Sequence, residues 1–139
     1  VAHEEDARFL EEGNSTVTAA KWYGSFLPPT DIDLKLAGPR NELELGGRKI
    51  SAIHIPGHSP GSIVLVSEVN GKKILFGQDI HGPFNQEWGS DMKQWRTSMQ
   101  TLLDLKANIL CEGHFALIPF LVSLSRSPSK CPRRFSRPA

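Results

Sequence analysis

Four β-type segments follow one another between residues 42 and 76 with very short connections, and this feature limits the fold more than any other. Residues 42–45 alternate between acidic and leucine side chains, Gly46 and Gly47 can turn the chain, and residues 48–55 continue in β-type sequence. Two strands joined by two glycines are typical of a tight hairpin. The sequence therefore predicts antiparallel pairing at this point.

A second hairpin follows at once. Residues 62–67 form a continuous apolar run, which suits a strand in a sheet that is covered on both faces. Asn70 and Gly71 are the residues that a two-residue hairpin turn prefers, and residues 72–76 return as the next strand. The middle of the chain is therefore predicted to be a β-sheet.

Helical patterns flank this sheet. Residues 2–12 are rich in Glu, Ala and Leu and end at Gly13, which predicts a short surface helix. Residues 91–105 predict a longer one, because Asp91 and Gln94 form a capping box and apolar residues recur at helical spacing at Met92, Trp95, Met99, Leu102 and Leu103. We interpret that stripe as core packing. Residues 108–111 predict a short buried strand.

Size and composition limit the function. A chain of 139 residues forms one domain at most, and its apolar runs are all shorter than the ~20 residues that span a bilayer. Two cysteines make no disulfide framework, which favours the cytoplasm. Eleven basic and fifteen acidic residues up to Glu112 give −4, and five basic residues beyond it give +5. The mildly basic balance therefore belongs to the tail and indicates neither a nucleic-acid partner nor a membrane.

Three polar groups follow predicted strands. His58 lies in the sequence Pro-Gly-His-Ser-Pro-Gly, Asp79 follows Phe-Gly-Gln, and His114 follows Cys-Glu-Gly. Each signal is weak alone, since a glycine before a polar residue is usually only a turn. Two imidazoles and a carboxylate held at strand ends suit a borderline metal such as zinc.

The spacing of these groups resembles the third, fourth and fifth motifs of the metallo-β-lactamase superfamily. Asp79 comes 21 residues after His58, and His114 comes 35 residues after Asp79. The hairpin before Pro-Gly-His and the helix before residues 108–111 resemble the family as well. The resemblance covers residues 1–114, whereas residues 115–139 are rich in Pro, Ser and Arg and are expected to be partly disordered. That tail is either a divergent ending or not a natural continuation of the domain.

The resemblance implies an α/β fold, specifically part of an αββα sandwich with two metal ions at one sheet edge. In that arrangement His58 binds the first ion, Asp79 bridges both and has the catalytic role, and His114 binds the second. The family's His-x-His-x-Asp-His motif, which supplies the other ligands, is absent from these residues. We therefore expect the C-terminal portion of a domain, which alone binds zinc weakly and hydrolyses little.

Other polar residues receive more ordinary interpretations. We read His3 as a surface helical residue and His54 as a packed strand histidine. His81 is a candidate for contact with the substrate or with a metal ligand. Cys111 is interpreted as an inert thiol, and Ser59 as a residue that caps its turn. Phe84 and Trp88 lie either in a substrate cleft or in an exposed loop.

The implied function is hydrolysis of a small ester, thioester or similar substrate by hydroxide held at a dinuclear zinc centre, with iron or manganese as alternative metals. Two other functions stay open. One is iron-dependent redox chemistry on the same scaffold. The other is a half-domain without catalysis that acts as a binding or assembly module, for which a homo-oligomer is an expected form.

Overall fold

The computed structural model describes residues 1–113 and 118–119. This part of the chain contains two α-helices, two short 3-10 helices at Ala20–Tyr23 and Gln86–Trp88, and eight strands. In chain order the main elements are β1 (Ala2–His3), α1 (Glu4–Glu11), β2 (Lys35–Leu36), β3 (Arg40–Leu45), β4 (Arg48–His54), β5 (Ile63–Val69), β6 (Lys72–Phe76), α2 (Met92–Asp104), β7 (Ile109–Cys111) and β8 (Ile118–Pro119).

Six of the described strands form one sheet in the order β3-β4-β5-β6-β7-β8. Both predicted hairpins are confirmed, because Leu45 pairs with Arg48 across one two-residue turn and Val69 pairs with Lys72 across the other. At the second turn Asn70 and Gly71 have φ angles of 52° and 70°. Two positive φ values in succession match the twist of the flanking strands.

The one parallel pair in the described sheet joins β6 to β7. A parallel pair needs a long crossover, and α2 supplies it. The Asp91 side chain accepts hydrogen bonds from the backbone amides of Lys93 (2.7 Å) and Gln94 (3.1 Å), so the predicted helix start is confirmed. β8, which lies within the predicted tail, then pairs antiparallel with β7.

The hydrophobic core lies between one face of this sheet and α2. Four side chains are almost completely buried there: Val64, Leu75, Leu102 and Leu110. The predicted apolar stripe of α2 was too wide, since Met92 and Leu103 are each 40% exposed. Ile63 and Leu65 alternate with Val64 along β5 and are only half-buried. The described residues therefore cover one sheet face fully and the other only in part.

The interpretation of His3 as a surface helical residue is wrong. The first two residues of the predicted helix pair with Lys35–Leu36 instead, and α1 starts only at Glu4. His3 is then the N-cap, with an extended backbone (φ −72°, ψ 145°) and only 2% exposure. Its ring stacks on His54 with a centroid separation of 3.8 Å. Extended backbone before the helix turns the ring towards the sheet rather than to solvent.

Among residues 1–113 and 118–119, neither helix combines the length and the apolar character that crossing a membrane requires.

Candidate metal site at the sheet edge

The Pro-Gly-His loop connects β4 to β5 and rests on α2. Gly57 has φ +150°, and a Cβ atom at this position would lie 2.5 Å from Cα of Trp95. The Ser98 hydroxyl donates to Pro56 O (2.7 Å), and the Asp91 amide donates to Gly57 O (2.9 Å). The glycine is required here because the loop backbone touches the helix backbone directly. This contact fixes where the next residue, His58, leaves the sheet.

The first helix holds the other end of the same loop. One carboxylate oxygen of Asp6 accepts from the Ser59 hydroxyl (2.5 Å), and the other accepts from the Gly61 amide (2.8 Å). Ser59 Oγ also lies 2.8 Å from Ser62 Oγ. Ser59 is therefore engaged in structural hydrogen bonds, in agreement with its interpretation as a turn residue. Sequence reasoning missed Asp6, whose position in the first helical turn offers an ordinary explanation for an acid.

His58 and Asp79 lie at the same edge of the sheet. β4 and β6 are both antiparallel to β5, so they run in the same direction and their last residues meet at one edge. His58 Nε2 lies 3.7 Å from Asp79 Oδ2, and their side chains are 22% and 26% exposed. Both residues line a cavity of ≈ 10 Å³, which is about the space that one water molecule or ion needs. Two of the three predicted ligands are thus neighbours.

A backbone hydrogen bond sets the tautomer of His58. Its Nδ1 atom donates to Pro83 O at 2.8 Å, because a carbonyl oxygen can only accept. In the neutral ring the lone pair is then on Nε2, the nitrogen that lies near Asp79. Metal-binding histidines usually donate the second ring N–H to a carbonyl or carboxylate in this way.

The separation of the two groups also fits a shared ion. Two ligands at ~2.0–2.1 Å from one tetrahedral zinc lie about 3.3 Å apart. The observed 3.7 Å between His58 Nε2 and Asp79 Oδ2 is close to that value. These two side chains therefore fit a zinc ion in ligand type and in spacing.

The third predicted ligand, His114, lies outside the described residues, and its role stays a prediction. The strand before it is described. β7 is parallel to β6, and Cys111 pairs with Phe76. Glu112 and Gly113, which follow β7, therefore lie at the edge of the sheet that carries Asp79. Cys111 itself is half-buried and forms no disulfide.

His81, the predicted substrate contact, pairs with a buried acid that sequence reasoning missed. His81 Nδ1 lies 2.6 Å from Glu112 Oε1, and the two side chains are 15% and 2% exposed. The second carboxylate oxygen of Glu112 is buried and has no hydrogen-bond partner among the described residues. The carboxylate accepts the Nδ1 proton and so fixes the orientation of the His81 ring near Asp79.

Two aromatic rings lie beside His58. Its ring lies 5.9 Å from that of Trp88 and 6.3 Å, edge to face, from that of Phe84. Trp88 is only 6% exposed, because Trp22 packs against it at 5.3 Å. Of the two interpretations given to Trp88, an exposed loop residue is therefore wrong. Trp22 carried no signal in the sequence, since it is 36 positions away from His58.

A second group of possible ligand atoms is formed by His3, Glu5 and His54, which lie within 4.8 Å of one another. The two rings are nearly parallel (10°) and stacked. Their lone pairs lie in the ring planes and so cannot converge on one ion without a rearrangement. Nε2 of His3 donates to Gly38 O, and Nε2 of His54 donates to Pro60 O. We therefore assign this group to packing between α1 and the sheet.

No protein-family model matches the chain, and no curated protein matches it either. Several solved structures do. A metallo-β-lactamase from Cronobacter sakazakii aligns with 81% of this chain at a TM-score of 0.65 and 21% identity. The BLEG-1 B3 metallo-β-lactamase aligns with 92% at 0.69 and 22% identity. A metallo-β-lactamase superfamily protein from the archaeon Sulfolobus tokodaii aligns with 86% at 0.54 and 20% identity.

The alignments cover 45%, 63% and 49% of those three chains. The chain thus spans about half to two-thirds of the length of the structures that it matches. The predicted α/β architecture, a partial sandwich made mostly of one sheet with flanking helices, is confirmed. At this level of identity the likeness concerns the fold. The chain has the metallo-β-lactamase fold.

Proposed function

We propose that this chain contributes one part of the metal site of a hydrolase that cleaves small esters, thioesters or similar substrates. The observation that carries the proposal is the arrangement of His58, whose Nδ1–H is held by Pro83 O and whose Nε2 lies 3.7 Å from Asp79 Oδ2. A carbonyl that orients the ring and a carboxylate beside its free nitrogen are features of metal ligands. The fold supports the same assignment.

His58 and Asp79 are the described residues that would hold the ion, and His114 is the proposed third ligand. Imidazole and carboxylate ligands suit zinc, with iron or manganese as alternatives. When bound, such ions lower the pKa of a coordinated water towards ~7 and polarise the substrate.

The residues of this chain prepare the site in two further ways. Pro83, Asp6 and Trp95 fix the loop that carries His58, so the ligand position is set before any ion arrives. Glu112 holds the ring of His81 two residues beyond Asp79. We propose that His81 contacts the substrate from there.

The number of ligands that this chain supplies limits the zinc affinity that we expect. With Asp79 shared, each of two ions would have two ligands from this chain, whereas zinc sites in proteins usually use three or four. We therefore propose that the 139 residues alone bind zinc weakly and turn over slowly.

Zinc titration of the purified chain tests the proposal. A competing chromophoric chelator should report a dissociation constant in the micromolar range or weaker, and His58→Ala and Asp79→Ala should each weaken binding at least tenfold. His54→Ala is the matched control, because that ring belongs to the packing group. Loss of binding in His54→Ala with no effect of His58→Ala would contradict the proposed site.

Hydrolysis is measured on the same samples with p-nitrophenyl acetate and a thioester. A slow rate should rise with zinc occupancy and disappear in Asp79→Ala. Zinc binding without zinc-dependent turnover of either substrate would contradict the hydrolase assignment. Dimerisation in a sedimentation experiment without any metal binding would favour the binding-module alternative.

A further inference from the structure

Three aromatic side chains lie unusually exposed in the segment that follows α1. Trp22, Tyr23 and Phe26 are 62%, 73% and 72% exposed. Large aromatic side chains bury 150–250 Å² each when they are covered, so leaving three of them in water within five residues is costly. A cluster of this kind usually marks a binding surface.

The cluster is continuous with the candidate metal site. The Trp22 ring lies 5.3 Å from that of Trp88 and is tilted by 52°. The Trp88 ring lies 5.9 Å from that of His58 and is tilted by 54°. Tyr23 extends the series, since its ring lies 5.3 Å from that of Trp22. An unbroken series of ring contacts therefore runs from the proposed metal ligand to solvent.

The backbone that carries these rings is held in place. The amide of Lys21 donates to Ser15 O (2.8 Å), and the amide of Leu27 donates to the Ser15 hydroxyl (3.0 Å). Gly24 ends the 3-10 helix with φ +65° and donates to Ala20 O and Lys21 O. A backbone that is fixed before binding loses little conformational entropy on contact with a ligand.

We propose that Trp22 and Tyr23, with the buried ring of Trp88 packed behind Trp22, form an aromatic shelf that binds a flat apolar group of the substrate beside the scissile bond. This inference rests on the proposed function, and it narrows the substrate class to esters or thioesters with an aromatic acyl or leaving group. Ring faces that are tilted against one another favour a planar group, which can pack offset or edge to face, over a flexible alkyl chain.

The exposed area decides between a small ligand and a protein partner. With exposures of 62% and 73%, the rings of Trp22 and Tyr23 offer roughly 200–340 Å² to a ligand. A stable protein interface needs about 800 Å² on each partner. The exposed area is therefore small for a second protein chain and sufficient for one or two fused rings.

Binding without metal tests the shelf independently of catalysis. We use 2-naphthoate as the probe and follow the indole N–H resonances by NMR during a titration of the full chain. The Trp22 and Trp88 signals should shift together, with weak millimolar affinity. Trp22→Ala should reduce that affinity about tenfold, whereas Trp22→Phe should retain most of it. Leu45→Ala is the control, because Leu45 is 71% exposed and pairs with Arg48 at the start of β4, whereas His58 follows the end of that strand.

Selectivity of the zinc-loaded chain is the second measurement. The ratio of kcat/KM for 2-naphthyl acetate over methyl acetate should fall about tenfold in Trp22→Ala and stay unchanged in Leu45→Ala. If neither ester is cleaved but Trp22→Ala still lowers the affinity for 2-naphthoate, the hydrolase assignment fails and the shelf stands. Equal affinities in Trp22→Ala and Leu45→Ala, or a change only in the sedimentation of Trp22→Ala, would overturn the shelf.

Discussion

The carboxylate of Asp6 accepts the hydroxyl hydrogen of Ser59 at 2.5 Å, although the two residues are 53 positions apart. Its second oxygen accepts the amide of Gly61 at 2.8 Å. A carboxylate in the first turn of α1 thus binds the end of the loop that carries His58. The N-terminal helix is therefore part of the support of the candidate metal site.

The first prediction follows from this contact. Asp6→Ala removes two hydrogen bonds to a charged group that is partly buried, and we expect the free energy of unfolding to fall by about 1–3 kcal/mol. Urea denaturation measures this change. Glu4→Ala is the control, because Glu4 is an exposed acid in the same helical turn. An equal effect of the two substitutions would mean that helix charge, and not the loop contact, is responsible.

The second prediction concerns the two neighbouring leucines of α2. Leu102 is fully buried in the core, whereas Leu103 is 40% exposed. Leu102→Ala should destabilise the fold by about 2–5 kcal/mol, because it removes apolar contacts and leaves a cavity. Leu103→Ala should cost less than ~1 kcal/mol. Thermal unfolding of both variants measures the difference, and similar losses would contradict the packing of α2 described above.

The elements that could be predicted from sequence are those with local signals. The turns at Gly46 and Asn70 specify their hairpins within a few residues, and Asp91 marks the start of α2. The meeting of His58 and Asp79 was also predictable, since it follows from strand direction once the hairpins are known. The spacing of apolar residues predicted which face of α2 packs on the sheet. It did not predict how wide that face is, because the width depends on how much of the helix the sheet covers.

The supporting contacts could not be predicted, because each joins segments without a shared local pattern. Glu112 reaches His81 across 31 positions, and Asp6 reaches Ser59 across 53. His3 was misassigned for the same reason. Its helical neighbours indicate a helix, whereas its pairing with Leu36 depends on a strand 33 positions later.

The third prediction concerns the pair of His81 and Glu112. An ionised carboxylate can only accept, so the neutral His81 ring must carry its proton on Nδ1. Glu112→Leu removes this acceptor, so the population of the Nδ1–H tautomer should fall. The ¹⁵N chemical shifts of the ring at alkaline pH measure the change. Glu87→Leu, at an exposed site, is the control, and an Nδ1–H tautomer that persists in Glu112→Leu would show that another group holds the ring.

The fourth prediction compares Gly57, which touches α2, with Gly46, which has open space around it. An alanine there would place Cβ 2.5 Å from Cα of Trp95, whereas Gly46→Ala meets no atom within 4 Å. Gly46 has φ +57°, where an alanine bears a conformational cost of about 1–2 kcal/mol, and Gly57 has φ +150°, where an alanine is strained at least as much. Only Gly57→Ala must also push the loop away from α2. We expect the free energy of unfolding of Gly57→Ala to be about 1–3 kcal/mol lower than that of Gly46→Ala, because the added Cβ overpacks this contact. Zinc binding should also weaken, because His58 moves away from Asp79. Equal stability and equal zinc affinity in the two variants would mean that the loop can shift freely, and the contact with α2 would then not fix the ligand.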